Sequence, residues 1–393
     1  MQPTHAFRAL RLFTGSDVLS PGFIVLSGDR IAAVSGGAPA DDVASVDLGD
    51  ATILPGLIDA HSHLSIVPGE GDQIGQMRRP LNVQLAAARS NVARDLASGV
   101  TTMRVMGEEL GVDFHVRDEI RRGVLDGPDL LCAGVQIARE GQHGHAITGV
   151  RDEAEIEALA RQNIDRGADL LKIFATGGVS SEGTAQDAVP FTTQEIQRAA
   201  DTAHAHGLRL AAHTHGGEGA RRAIEGGVDT IEHGAALDDE LIDAIVRRSL
   251  MVVGTFSILF HPEGIEQGDG GRPDVMAKVH RARVTVERAW RAVTTAGMRC
   301  AVGTDSMHGR LAYDVAKLVE FGATPFAALQ AATVRGAEAC GLTDRGCLEP
   351  GLRADVVVVR GNPLDDIMSL SAPELVIAGG RIVHQRTKFP VSS

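Results

Sequence analysis

The sequence has few cysteines and no pattern that would put them to use. Its four cysteines, Cys132, Cys300, Cys340 and Cys347, form no C-x-x-C pair and have no close, even spacing. This distribution argues against a disulfide framework and against a structural zinc ribbon. We interpret the four side chains as small buried apolar residues.

Long hydrophobic runs and an excess of basic charge are also absent. No stretch of about 18 apolar residues occurs, and the chain starts MQPTHAFR without a long apolar segment, so neither a transmembrane helix nor a signal peptide is predicted. The net charge of -13 and the isoelectric point near 5.6 argue against a nucleic-acid partner, because phosphate backbones favour basic surfaces. We therefore expect a soluble, cytoplasmic protein with no nucleic-acid partner and no membrane partner.

What is present is the composition of a large globular protein. The 393 residues are 44% hydrophobic and 23% charged, which suffices for a barrel-sized core. Short β-type runs punctuated by Gly, Pro, Ser and Asp occupy residues 6–54 and again residues 352–384, so we expect the two end segments to pair. The predicted division is a composite β-sandwich of residues 1–56 and 344–393, and a second domain of residues 57–343.

Between the two ends, apolar β-type runs alternate with helical stretches, which is typical of βα units around a parallel sheet. Eight candidate strands lie near residues 57–63, 99–105, 129–134, 169–175, 208–215, 227–232, 250–254 and 299–305. Periodic helical segments include residues 83–98, 153–166, 193–206, 237–248 and 279–296. Eight such repeats predict a (β/α)8 TIM barrel, and hence an α/β fold.

The most informative stretch is residues 57–63, LIDAHSH, where an apolar run ends in two histidines. Alternate residues of a strand point to the same side, so His61 and His63 can direct two imidazoles at one ion. The Pro55-Gly56 pair favours a bend just before this strand. Alone, a His-x-His pair is a weak signal, since paired histidines also occur in cores and on surfaces.

Four further predicted strands carry polar side chains near their carboxyl ends. These are Lys172 in DLLKIF, His213 and His215 in AHTH, His233 in IEHG and Asp305 in VGTD. Each alone has a plain structural interpretation, as a surface histidine or a salt-bridge residue. In a TIM barrel, however, the catalytic groups lie at the C-terminal ends of the strands. Together, five strands would deliver nitrogen and carboxylate ligands to one rim.

These motifs resemble those of the amidohydrolase superfamily of metal-dependent (β/α)8 hydrolases. The resemblance covers almost the whole chain, including the split β-sandwich, and is most specific in HSH, KIFATGGV, AHTHG, IEHG and GTD. The lysine followed by ATGGV is similar to the imidazolonepropionase-related branch. That branch contains dipeptidases, carboxypeptidases, and hydrolases of N-acyl amino acids and of ochratoxin-like amides.

The resemblance implies two divalent metal ions bridged by a carboxylated Lys172, and imidazole with carboxylate suits zinc. The implied ligands are His61, His63 and Asp305 for one ion, and His213 and His233 for the other. The family pattern places the strand-5 ligand at the first histidine of its pair, so His215 would lie beside the substrate carboxylate or carbonyl. The reverse order of His213 and His215 stays open.

The expected chemistry is hydrolysis by a metal-bridging hydroxide, because two ions lower the pKa of a shared water toward neutrality. A carbamate on Lys172 offers two anionic oxygens that can span both ions. Asp305 would take a proton from the nucleophile and pass it to the leaving nitrogen. Lys172 and Asp305 are therefore the predicted catalytic residues.

Loop residues supply the predicted substrate contacts. In EGQHGH after strand 3 we choose His145 over His143. The glycine-rich loop GGVSSEG after strand 4 lacks the spacing of a phosphate-binding loop. Residues 255–278, a long segment rich in Gly and Pro, form either a candidate lid or a surface loop without a role at the site. The predicted substrate-binding residues are His215, His145, Ser180, Ser181 and His308.

The predicted function is cleavage of a C–N amide bond in a small-molecule substrate, most plausibly a dipeptide or an N-acyl amino acid. One alternative is hydrolysis of a cyclic amide, lactone, carbamate or urea, since the same nucleophile attacks any of these carbonyls. Two others are deamination of a heterocycle and an inactive metal-binding scaffold. Neither the natural substrate nor the oligomeric state follows from the sequence, although barrels of this size often form homo-oligomers.

Overall fold

The computed structural model describes residues 4–37, 45–386 and 391–392. The first seven strands are β1 (Thr4–Ala9), β2 (Arg11–Phe13), β3 (Val18–Leu19), β4 (Gly22–Ser27), β5 (Arg30–Ser35), β6 (Ser45–Asp47) and β7 (Ala51–Pro55). The next eight are β8 (Leu57–Ser62), β9 (Val100–Val105), β10 (Asp129–Cys132), β11 (Leu170–Phe174), β12 (Arg209–Gly216), β13 (Thr230–Ala236), β14 (Met251–Gly254) and β15 (Cys300–Val302). The last are β16 (Val356–Arg360), β17 (Leu375–Ala378), β18 (Arg381–Gln385) and β19 (Val391–Ser392).

The helices fall mainly between the strands of the middle group. They are α1 (Gln73–Gln76), α2 (Leu81–Ala97), α3 (Val112–Arg121), α4 (Glu153–Asp165), α5 (Thr193–His204), α6 (Gly217–Glu225), α7 (Asp239–Arg247), α8 (Ser257–Phe260), α9 (Ile265–Asp269), α10 (Pro273–Thr295), α11 (Leu311–Glu320), α12 (Pro325–Ala331) and α13 (Val334–Cys340). Two short 3-10 helices lie at Glu109–Gly111 and Ile367–Ser371. In the part of the chain that the structure describes, none of these helices combines the length and the apolar character of a membrane span.

Strands from both ends of the chain share two sheets. One has the order β19-β6-β1-β4-β5 and the other β18-β17-β16-β7-β2-β3. In the second sheet β7 runs antiparallel to β16, with Ile53 opposite Val358 and Leu54 opposite Val357. Ile53 and Val358 belong to a separate apolar cluster that also contains residues of β1, β4 and β17. The expected pairing of the ends is thus observed, while the domain boundaries after residues 56 and 343 stay a proposal.

The eight strands of the middle segment form the barrel. Parallel pairing joins β8, β9 and β10 in one group and β11 to β15 in another. Ile137, beyond β10, connects the groups, since its N–H donates to the Lys172 carbonyl at 2.7 Å and its carbonyl accepts from Phe174 at 3.0 Å. On the other side the Asp305 N–H donates to the carbonyl of His61 at 2.8 Å. The predicted TIM barrel within an α/β fold is confirmed.

Local sequence signals account for the helices around the barrel. At the start of α5 the Thr192 hydroxyl accepts from the Glu195 N–H and the Glu195 carboxylate accepts from the Thr192 N–H, which is a capping box. The apolar face of α5, including Ile196 and Ala200, is buried against the barrel core. The loop after β11 thus ends in a defined cap, and an amphipathic helix follows, as the periodicity predicts.

The glycines and prolines of residues 255–278 indicate one long loop, but the structure of this segment is largely helical. It contains α8, α9 and the first turns of α10. Pro273 occupies the first turn of α10, where the missing N–H costs no hydrogen bond. From the composition we expect Pro273 to lie in a loop, but it is the first residue of a helix.

Candidate metal centre

Five strands bring the predicted ligands to one point inside the C-terminal mouth of the barrel. The Nε2 atoms of His61 and His63 lie 3.5 and 3.6 Å from Asp305 Oδ1. Lys172 Nζ lies 3.5 Å from His61 Nε2. His61, His63 and Lys172 are buried. The side chains from β8, β11 and the turn after β15 therefore meet as the sequence predicts.

The histidines of β12 and β13 complete the cluster. The rings of His213 and His233 lie 4.5 Å apart between centroids, and those of His61 and His233 lie 4.7 Å apart. One ligand atom each from His61, His233 and Asp305 fits within 4.8 Å, which makes this trio the tightest possible metal-binding group among the described residues. That trio combines His61 and Asp305, predicted ligands of one ion, with His233, a predicted ligand of the other.

The outer nitrogens of the β8 histidines are fixed by the protein. His61 Nδ1 lies 2.7 Å from Glu232 Oε2, and His63 Nδ1 lies 2.9 Å from the Gly107 carbonyl. Because both partners are acceptors, each Nδ1 carries the proton and each Nε2 presents its lone pair to the centre. This is the arrangement that proteins use to orient metal-binding imidazoles.

His233 and His213 are also held by a hydrogen bond at one ring nitrogen, but not at the same nitrogen in both. His233 Nδ1 lies 2.7 Å from the Thr255 hydroxyl, and its buried Nε2 has no hydrogen-bond partner among the described residues. His213 uses Nε2 instead, 3.1 Å from the Gly177 carbonyl, which leaves Nδ1 for the centre. An orphaned buried nitrogen is costly unless a ligand completes it, so this donor set fits metal ions.

A buried ion pair beneath the centre was not singled out from the sequence. Arg104 Nη2 donates to both oxygens of Glu232, at 2.9 and 3.0 Å, and its Nε donates to the Ala60 carbonyl at 2.6 Å. Burial raises the pKa of Glu232, but Arg104 and then His61 outweigh it and lower that pKa to about 2. Glu232 is therefore an anion that supports His61. The sequence signal that could have indicated this pair is Arg104, a charged residue within the predicted buried strand VTTMRV.

Asp305 and two residues near it have a strained backbone conformation. Asp305 and Ser306 have φ angles of 49° and 78°, and His233 has 68°, all in the left-handed region that non-glycine residues avoid. The Asp59 carboxylate holds this turn by accepting from the Thr304 N–H and hydroxyl at 3.0 and 2.6 Å. The conformation aims the Asp305 side chain inward. Burial opposes ionisation, yet neighbouring His61, His233 and His63 lower the Asp305 pKa well below its usual value.

The side chain of Lys172 is buried inside the cluster. Burial is the largest cause of a pKa lowered to about 8, with the charges of Glu232 and Asp305 acting in the opposite direction. Its Nζ also lies 5.1 Å from the centroid of the Phe174 ring. An amine with such a pKa is partly neutral near neutral pH, and the neutral amine is the form that reacts with carbon dioxide.

The predicted substrate contacts separate into two sets. His215 and Ser180 line the cavity at the centre, and His215 Nδ1 lies 2.9 Å from Gln186 Nε2. Ser181 lies behind them, with its hydroxyl 2.6 Å from the Nδ1 of His143. His143 itself is buried and lines the cavity, a position not expected from the sequence.

His145 and His308 do not line this cavity. His145 Nδ1 accepts from the Gly141 N–H at 3.0 Å, so its ring closes its own loop. His308 has both nitrogens occupied, with Nδ1 2.7 Å from Asp95 and Nε2 3.1 Å from the His63 carbonyl. We therefore move the proposed contact from His145 to His143, and we assign His308 to holding the turn after β15.

Comparison with known proteins agrees with this geometry. The family model described as "Amidohydrolase family" matches residues 52–383, and the chain belongs to that family. It is 26% identical over 360 residues to the ochratoxinase of Aspergillus niger, covering 82% of this chain and 73% of that enzyme. It is also 26% identical over 380 residues to the imidazolonepropionase of Deinococcus radiodurans, covering 86% and 85%.

Among solved structures, a Xaa-Pro dipeptidase with methionine bound in its active site superimposes with a TM-score of 0.86 and 29% identity. The match covers 97% of this chain and 99% of that one. The resemblance to the amidohydrolase superfamily is thus confirmed, and the family and its enzyme members support a hydrolase that acts on small molecules.

Proposed function

We propose that the protein is a binuclear metal-dependent amidohydrolase that cleaves a C–N amide bond of a small molecule. The observation that carries this proposal is the convergence of four imidazoles, one carboxylate and one buried lysine at the mouth of the barrel, with the outer nitrogen of each imidazole held by the protein and His233 Nε2 left without a partner among the described residues. The outer nitrogens are held by carboxylate, carbonyl or hydroxyl groups of the protein. The inner nitrogens of His61 and His63 face Asp305 at 3.5 and 3.6 Å, and that of His233 has no partner among the described residues.

The residues divide between two divalent ions, proposed to be zinc. His61, His63 and Asp305 would hold one, His213 and His233 the other, with a carboxylated Lys172 between them. Lys172 Nζ lies 3.5 Å from His61 Nε2, and the ring of His233 lies 4.5 Å from that of His213 and 4.7 Å from that of His61, so the two groups of ligands are in contact with each other. When bound, the ions would supply a water nucleophile at neutral pH and polarise the carbonyl group.

The protein's own groups would perform the proton transfers and the positioning. Asp305 stays ionised and can accept the proton of the attacking water, then donate it to the leaving nitrogen. Glu232 and Arg104 keep His61 in one tautomer. His143 and His215 have pKa values lowered by burial to about 3 and about 4, so both are neutral imidazoles able to donate to a substrate oxygen.

The proposed substrates are dipeptides and N-acyl amino acids. The likeness to a Xaa-Pro dipeptidase and to an ochratoxinase supports this class. The test is a panel of dipeptides, N-acyl amino acids, cyclic amides and amino-heterocycles, given to metal-loaded protein. Release of an amino acid from the first two groups is expected. Release of ammonia from the heterocycles, with no amino acid from the other compounds, would contradict the proposal.

A further inference from the structure

Two small cavities, each of about 40 Å³, share lining residues at the metal centre. Both touch the same polar side chains, which we call the waist: Gln73, His143, Ser180, His213, His233 and Asp305. Beyond the waist the two cavities are lined by different residues, and we call them lobe A and lobe B. A substrate whose scissile bond lies at the waist would therefore place one end in each lobe.

Lobe A is lined by aliphatic side chains. Three of them come from α8 and α9, which pack over the barrel mouth, and the rest come from β13, α10 and the loop after β11. Thr255 and His215 also line this cavity. The aliphatic residues, all buried, are Val179, Ala235, Ile258, Leu259, Ile265 and Val286.

Lobe B is also lined by apolar side chains beyond the waist. Ile66, Ile74 and Met77 come from the segment between β8 and α2, and Phe174 ends β11. Three of these side chains are buried, while Ile74 is partly exposed. Beyond the waist residues, His63 and Gln136 also line this cavity.

Neither lobe offers a partner for a charged group. Across residues 4–37, 45–386 and 391–392, no lysine or arginine lines either cavity, and the only carboxylate is Asp305 at the waist. Two basic residues nearby, Lys278 and Arg78, donate hydrogen bonds to backbone carbonyls instead. Lys278 donates to the Ser181 carbonyl at 2.6 Å, and Arg78 donates to the carbonyls of Ala146 and His145 at 2.9 and 3.2 Å.

The loops that form the lobes are fastened over the site. The Asp72 N–H and Arg272 Nη1 both donate to Asp269 Oδ1, at 3.1 and 2.9 Å, and Arg272 Nη2 donates to Glu182 at 2.6 Å. These bonds join the segment after β8, the loop after β11 and the region of α9. With the mouth covered, a charged group in either lobe would lose its hydration and find no counter-ion, which is strongly unfavourable.

We propose that the substrate carries uncharged, apolar groups on both sides of the scissile bond: an aliphatic or aromatic acyl group on one side and an apolar amino-acid side chain on the other. The α-carboxylate next to the scissile nitrogen lies at the waist, where the Gln73 amide and the Ser180 hydroxyl can donate to it. Water adds across the bond, so the carbonyl carbon gains oxygen and the leaving nitrogen gains the proton. This inference rests on the proposed function and narrows its two substrate classes to N-acyl amino acids, because the free α-ammonium of a dipeptide would put a charge on the acyl side.

The test compares three matched compounds with the metal-loaded enzyme. N-butanoyl-norleucine is apolar at both ends, N-butanoyl-lysine adds one ammonium to the side chain, and N-succinyl-norleucine adds one carboxylate to the acyl group. We expect kcat/KM for the apolar compound to exceed that of each charged compound by about 100-fold, because a charge would be buried unpaired. Equal or faster cleavage of both charged compounds would overturn the inference and leave the proposed function intact.

Failure of all three compounds with protein that holds its metals would instead overturn the proposed function and the inference together. Ile74→Lys then tests the lobes directly, with Ile74→Met as its matched control. The introduced lysine is expected to lower kcat/KM for N-butanoyl-norleucine. If the acyl group occupies lobe B, the new ammonium should attract the succinyl carboxylate and reduce the preference against that compound. If the side chain occupies lobe B, it should repel the second ammonium and increase the preference against N-butanoyl-lysine. No change in either ratio in a folded Ile74→Lys protein would contradict the assignment.

Discussion

Asp305 combines a strained backbone, a partly buried side chain and three imidazole neighbours, and each of these features serves one task. The left-handed turn aims the carboxylate inward, and the imidazoles keep it ionised despite burial. A carboxylate with a depressed pKa is a good metal ligand and a ready proton acceptor. Its loss should therefore affect turnover more than folding.

Asp305→Asn is expected to lower kcat by about 10²- to 10⁴-fold, since it removes the proposed general base while the amide oxygen still fills the same space. Bound metal and the unfolding transition should change little. Steady-state kinetics, metal analysis and thermal unfolding measure the three quantities. Asp126→Asn, at an exposed position, serves as the matched control. Unchanged turnover in Asp305→Asn would remove its catalytic role.

The Arg104–Glu232 pair acts through His61 and permits a separation of stability from metal binding. Glu232→Leu leaves the Arg104 charge buried alone, so we expect a loss of about 3–5 kcal/mol in the free energy of unfolding of the metal-free protein. The double variant Arg104→Met with Glu232→Leu should recover most of that stability, because the pair is replaced by apolar side chains.

Metal affinity should behave differently from stability in these variants. His61 Nδ1–H lacks its acceptor in both, so zinc affinity is expected to fall by about 10- to 100-fold in each. Chelator competition measures the affinity, and urea unfolding measures the stability. A stable double variant that binds zinc as tightly as the wild type would show that the pair is only structural.

The lowered pKa of Lys172 predicts how its carboxylation depends on pH. Below about pH 8 the amine is mainly an ammonium ion, which does not attack carbon dioxide, and above it the neutral amine prevails. At a fixed concentration of dissolved carbon dioxide, metal-free protein supplied with zinc should therefore regain activity faster at pH 9 than at pH 7. A rate that depends on neither pH nor carbon dioxide would contradict the proposed carbamate.

At the scale of elements, the sequence predicts the barrel well because its strands are local patterns. The apolar runs that end in His61, His213 and Asp305 place all three side chains near the mouth without knowledge of any long-range contact. The Arg104–Glu232 pair could not be predicted in this way, since its partners are 128 residues apart and meet across the barrel interior. The choice between His143 and His145 could not be predicted either, because it depends on the conformation of the turn that contains Gly141 and Gly144.

Glycine also decides how closely β15 approaches β8. A Cβ at Gly303 would lie 2.4 Å from the backbone nitrogen of His61 and 2.6 Å from its Cβ, both fixed atoms of a strand that carries a proposed ligand. Gly303→Ala should therefore displace the end of β15, costing about 1–3 kcal/mol of stability, and should lower metal occupancy.

Gly271→Ala is the control for this variant, because a Cβ there would meet nothing within 4 Å. Denaturant unfolding and metal analysis of both proteins measure the difference. Equal stability and occupancy in the two variants would show that the contact between β15 and β8 does not position His61.

At the scale of the whole molecule, the sheets built from both chain ends have an apolar core distinct from that of the barrel. Both cores follow from hydrophobic patterning, and so does the placement of the ligands on a single rim. The substrate does not follow from it, because the lobes are built by α1, α8 and α9 and by loops whose packing no periodicity specifies. The metal centre is thus the part of the function that the sequence and the geometry support together.

The most direct test of this centre is metal analysis of the purified protein combined with mass measurement of the peptide that contains Lys172, after growth with and without added bicarbonate. We predict two divalent ions per chain and a carboxylated Lys172, with occupancy rising when bicarbonate is supplied. One ion or none per chain, together with an unmodified Lys172 under both conditions, would contradict the binuclear mechanism.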